Sequence, residues 1–172
     1  MTLGLIARLK FERLDSFLTG WMAHVGVQAL RISVGIVFFW FGFLKFFPGV
    51  SSAETLAINT TQILTFGIIS NSIALWLIAM LEVTIGLGLI FGVYLRAVLL
   101  LLWLQMVGAI SPLILFPHET FTNFPWVPTL EGQYIIKNLV LISAGIVVGA
   151  TVRGGKLVAE PRRQGRQGRQ GR

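Results

Sequence analysis

Residues 73–93 read IALWLIAMLEVTIGLGLIFGV. The stretch is apolar almost throughout and carries one acid, Glu82, near its middle. About 20 apolar residues suffice for a helix to cross the hydrocarbon core of a bilayer. A carboxylate at the centre of such a helix costs a few kcal/mol on insertion scales. A chain that accepts this cost needs a partner for the acid, a water-lined cavity or a protonated carboxyl. Two readings stand side by side: a functional site in the interior of a helical bundle, and a hydrogen-bonded Glu that holds helices together.

Working outward, three further stretches share this character. The spacing of breakers predicts spans over about 26–47, 73–93, 97–116 and 134–152, and the fold class expected is an all-α, integral membrane four-helix bundle. The 172 residues are 55% hydrophobic with a mean hydropathy of +0.79. A soluble domain this apolar would expose large patches and aggregate. The three domains expected are an N-terminal interfacial amphipathic helix at 1–24, the transmembrane domain at 25–152 and a basic tail at 153–172.

In the N-terminal segment Leu3, Ala7, Phe11, Leu14, Phe17, Leu18 and Trp21 share one side of a helical wheel. Arg8, Glu12, Asp15, Ser16 and Thr19 share the other, as in a helix lying in the membrane interface. The first span stops before Pro48-Gly49. Residues 50–71 are too polar to span and read as a short interfacial helix or re-entrant loop. The link 94–96 is tight, so the second and third spans should be antiparallel neighbours. The segment 117–133 holds three prolines and reads as a loop.

Charge sets the expected orientation. The two long connections, 48–72 and 117–133, contain no Lys or Arg. The N-terminal segment, the 94–96 link and the tail carry nearly all of them, which predicts both termini in the cytoplasm. From residue 153 on, seven basic residues face Glu160 alone, so the tail holds six of the seven net charges. Its repeating Arg-Gln-Gly composition predicts disorder, and its charge predicts contact with anionic lipid. The tail has no aromatics for stacking, so no nucleic acid is expected as a partner.

Candidate site residues are the polar groups at depth. In the first span Arg31, Gly35, Phe38, Gly42 and Lys45 recur at +4, +3, +4 and +3, on one face. Glycines there let a neighbouring backbone approach. Arg31 and Lys45 could equally snorkel to the headgroups. Gly88 with Gly92, and Gly145 with Gly149, form two G-x-x-x-G pairs read as packing faces. Gln105 is polar at mid-depth, and Lys137 and Asn138 lie in the first turns of the fourth span. At 1.5 Å per residue, Glu82 lies roughly 10 Å deeper than Lys45 and roughly 8 Å deeper than Lys137, with Arg31 at a similar distance from the other side. The three cations stay open as partners. There is no cysteine, and the two histidines, His24 and His118, are far apart, so no metal site is expected.

The stripe Arg31…Gly35…Phe38…Gly42…Lys45 followed by Glu82…Gly86…Leu89…Gly92 resembles the DoxX-like superfamily of small four-helix membrane proteins. Residues 131–141, EGQYIIKNLVL, are similar to its YkgB branch, which includes RclC-type reactive-chlorine-resistance membrane proteins. The likeness covers about residues 25–152 and brings no catalytic residues with it. It implies a bacterial inner-membrane protein linked to oxidant stress. The function expected is therefore an accessory or protective membrane component without chemistry of its own, holding a membrane-protein partner or forming a homo-oligomer. No cofactor is predicted. One alternative is a quinone-binding subunit of a membrane oxidoreductase, with Glu82 or Lys45 on the quinone. The other is a small proton-coupled transporter using Glu82, although four unbroken spans lack the interrupted helices that transporters show.

Overall fold

The computed structural model describes residues 2–51 and 54–158. Among the described residues eight helices and one small hairpin follow in order. Helix α1 is Thr2–Leu44, α2 Glu54–Leu64, α3 Asn71–Phe91, α4 Leu95–Ile110, α5 Pro112–Leu115 and α6 Pro117–Thr120. Strands β1, Phe121–Asn123, and β2, Val127–Pro128, pair antiparallel, and α7, Leu130–Ile136, and α8, Asn138–Thr151, complete the chain. Four stretches are long and apolar enough to cross a membrane: Arg13–Leu44, Asn71–Phe91, Leu95–Leu115 and Leu130–Thr151. The protein is a multi-pass, all-α membrane bundle, the short hairpin apart.

The four long helices close a ring in which α1 packs on α3 and α8, and α4 packs on α3 and α8. Contacts give the α1–α3 pair its sense. Arg31 reaches Leu89 while Lys45 reaches Glu82, so α1 and α3 run antiparallel. The α3–α4 turn is short because Gly92 and Tyr94 both adopt left-handed backbone, φ 70° and 49°. Gly92 N–H bonds back to the Gly88 carbonyl, the αL ending that glycine favours.

The core is one layer between these helices: Val34 and Phe38, Ile85 and Leu89, Leu99, Leu102 and Met106, Ala144 and Val148. The outward faces are no less apolar. Trp40, Phe41, Trp76, Met80, Leu104 and Val140 are all exposed. Lipid is as apolar as leucine, so helix association rests on close packing and small residues rather than on the hydrophobic effect. Gly86 of α3 lies against the backbone of Phe39, and Gly35 lies against the Gly86 carbonyl and Ile90. Gly145 lies against Leu102 and Trp103, and Gly149 against Leu99.

Four expectations need correction. Where an interfacial helix at 1–24 was expected beside a separate first span, residues 2–44 form one continuous helix. Nothing near the expected boundary stops it: there is no proline, and Gly20 and Gly26 each weaken a helix without ending it. Segment 117–133 is not an irregular loop. Pro117 sits at the first position of α6, where its missing N–H costs nothing, and Pro128 ends the two-residue strand β2. The fourth span accordingly begins at Leu130, with Thr129 as N-cap accepting from Gly132 N–H at 3.2 Å. It is broken once, at Lys137, where Val140 N–H bonds to the Lys137 carbonyl in a tightened turn. Finally, Gly88 and Gly92 do not form one packing face: Gly88 meets Val98 of α4, whereas Gly92 ends α3 beside Arg31. Helix α2 falls in the 48–72 connection, packs on α3 and touches α4 and α5. The tail from residue 159 on, for which disorder was expected, lies outside the described residues.

Candidate functional site

The site is built at the crossing of α1 and α3. Gly42 presents no side chain to α3, and a Cβ added there would come within 2.7 Å of the Glu82 Cβ and 2.9 Å of the Val83 nitrogen. The acid therefore sits against α1, one turn before Gly86 on the same face of α3. Just past the end of α1 the chain winds on in i-to-i+3 turns, Lys45 N–H bonding to the Gly42 carbonyl at 3.1 Å. That carries the Lys45 side chain back over Glu82.

Lys45 Nζ donates to Glu82 Oε2 at 2.6 Å. Gln105 Nε2, from α4, donates to Oε1 at 2.9 Å. Lys45 also makes a long 3.5 Å contact with the Phe41 carbonyl. The side chains of Lys45 and Glu82 are 10% and 12% exposed. An ionised carboxylate only accepts, and here each of its oxygens faces a donor from a different helix. The group ties α1, α3 and α4 together, and charge is balanced within it. Around the end of α1 Phe46 stacks edge-on against Trp76 at 5.0 Å, and Phe43 against Phe47 at 5.4 Å.

The other candidates lie elsewhere. Arg31 donates to the Leu89 carbonyl at 2.8 Å and lies against Gly92. It thus places a cation on the carbonyl end of α3, where the macrodipole favours one. Replacing Arg31 by methionine should cost about 1.5–3 kcal/mol, the range for a hydrogen bond to a charged group. Thermal unfolding in detergent checks this, and an unchanged midpoint would show the bond to be incidental. Lys137 is exposed and sits over the Tyr134 ring at 5.0 Å. Asn138, half-buried, opens α8. Neither reaches Glu82. Of the three cations left open as partners, the geometry selects Lys45.

The sequence reading missed Gly86 as the tightest point of the α1–α3 crossing. The signal was available in its spacing of four from Glu82, which puts both residues on one face of α3. Among the described residues no group of three His, Asp or Glu side chains converges as metal ligands. A separate cavity of about 610 Å³ lies among α5, α6 and the hairpin, lined by Ile114, His118, Phe121 and Phe124.

A family model described as DoxX matches residues 26–119, which takes in the Arg31–Lys45 stripe, Glu82 and Gln105. No curated protein and no solved structure matches the chain.

Proposed function

The chain belongs to the DoxX family, and from that premise we propose that it is an accessory component of a bacterial inner membrane, associated with resistance to oxidants such as reactive chlorine and performing no chemistry of its own. The observation that carries the second half is the occupation of Glu82. Both of its oxygens are taken by donors from the same chain, which is how a carboxylate serves as a fastening. The oxidant association rests on the likeness of residues 131–141 to the YkgB branch.

The test uses cells lacking the gene and exposed to hypochlorous acid. Wild-type protein should restore survival. A variant carrying Lys45→Met and Glu82→Gln together, neutral and still able to hydrogen-bond to Gln105, should restore it equally when present at the wild-type level in the membrane. Loss of protection by that variant at full abundance would move Glu82 into the chemistry. A stoichiometric quinone in the purified wild-type protein would favour the redox-subunit reading instead.

The orientation belongs to the same proposal. Connections 48–72 and 117–133 carry no Lys or Arg, so they should face the periplasm with both termini cytoplasmic. Reporter fusions in each connection check this, and a cytoplasmic signal from either one contradicts it.

A further inference from the structure

Arg96 lies where α4 begins and Arg153 where α8 has just ended. They cap a groove of about 360 Å³ between these two helices. Down α4 from Arg96 come Leu99 and Leu100 at +3 and +4 and Trp103 at +7, all lining the same groove. At 1.5 Å per residue these side chains lie roughly 5 to 10 Å deeper than the arginine. On the α8 side Gly149 lies four residues before Arg153 and supplies no side chain. Its absent Cβ would stand 3.6 Å from Leu99 Cδ1. Glycine at 149 leaves the α8 wall of the groove without a side chain at this level. Among the described residues the Lys45–Glu82 pair is the sole ion pair, so neither arginine has a carboxylate within reach there. Leu100 is 71% exposed, so the apolar wall opens sideways onto the surrounding lipid.

We propose that this groove binds one anionic glycerophospholipid from the adjacent leaflet. Its phosphate lies between the guanidinium groups of Arg96 and Arg153, and one acyl chain lies along Leu99, Leu100 and Trp103. The order of the lining carries the assignment. Two planar forks suited to phosphate oxygens stand at the membrane surface, and a purely apolar trough runs inward beneath them. A free phosphate would use the first and leave the second empty. A zwitterionic lipid would use the second but bring an ammonium group to the two cations. Basic pockets between spanning helices suit anionic headgroups for this reason. The site is distinct from the Glu82 triad and from the arginines after residue 160.

Trp103 supplies a local reporter. The full-length protein in detergent is titrated with phosphatidylglycerol or phosphatidylcholine carrying brominated acyl chains. Quenching of Trp103 is read as the difference from a Trp103→Phe variant. Brominated phosphatidylglycerol should saturate this quenching, and the double variant Arg96→Gln, Arg153→Gln should need on the order of 30-fold more of it, as two surface cations imply. Phosphatidylcholine should quench weakly and equally in both proteins. Gly149→Leu, which keeps both charges and fills the trough, should also abolish the saturable component. Equal quenching by the two lipids, or indifference to the arginine substitutions, overturns the proposal. Displacement of the brominated lipid by equimolar inorganic phosphate overturns it too, since it would make the groove a phosphate site.

Discussion

Replacing Lys45 by methionine is expected to lower the stability of the folded protein by about 3–5 kcal/mol, the usual loss when one member of a buried pair is removed. The cause is the stranded partner. Glu82 would keep Gln105 on one oxygen and lose the 2.6 Å donor on the other, in a site where its side chain is 12% exposed. The cost belongs to the uncompensated acid and not to the net value of the pair. Combining Lys45→Met with Glu82→Gln should therefore recover most of the loss, since an amide is cheaper to bury than a charge. Thermal or denaturant unfolding in detergent measures both. If the double variant is as unstable as Lys45→Met alone, the loss belongs to the pair itself and not to a stranded charge.

Gly86→Ala should be comparably damaging for a steric reason. The added Cβ would overlap the backbone of Phe39, with the Phe39 Cα at 2.7 Å and the Gly35 carbonyl at 2.8 Å. Backbone atoms cannot move aside as a side-chain tip can, so α1 and α3 must separate. Overpacking typically costs about 1–3 kcal/mol, and the rigid neighbours put this case at about 3. Because Glu82 lies one turn away, the same separation should loosen the Lys45 bond. The control is Gly108→Ala on α4, where nothing lies within 4 Å of an added Cβ. That change should be neutral or stabilising by up to about 1 kcal/mol through helix propensity. Equal effects from the two substitutions would mean that the α1–α3 crossing is looser than described.

Much of this was legible in the chain because period and depth are simple in a membrane. The +4, +3, +4, +3 spacing placed Arg31, Gly35, Phe38, Gly42 and Lys45 on one face. In the fold, Arg31 meets Leu89, Gly35 meets Gly86, and Gly42 and Lys45 meet Glu82, all on α3. The choice of partner for Glu82 was not legible. Depths of roughly 10 Å for Lys45 and 8 Å for Lys137 differ by less than the reach of a lysine. The matter is decided by the tightened turns after Leu44 and by the break at Lys137, both local backbone features. The hairpin at 121–128 escaped for a related reason. Prolines at the first position of a helix and at the end of a short strand carry the same letter as prolines that break structure. The joining of residues 2–24 to the first span escaped because amphipathicity marks a change of surroundings, not a change of backbone.

The balance of charge within the Lys45–Glu82 pair bears on an energised membrane. A single elementary charge moved across 100 mV exchanges about 2.3 kcal/mol with the field. Opposite charges 2.6 Å apart sit at nearly the same potential, so the work done on one cancels the work done on the other. The centre of the bundle is thus blind to the membrane voltage while the pair is intact. Removing either member would leave a fixed charge part-way across the field, coupling the stability of the fold to the energetic state of the cell.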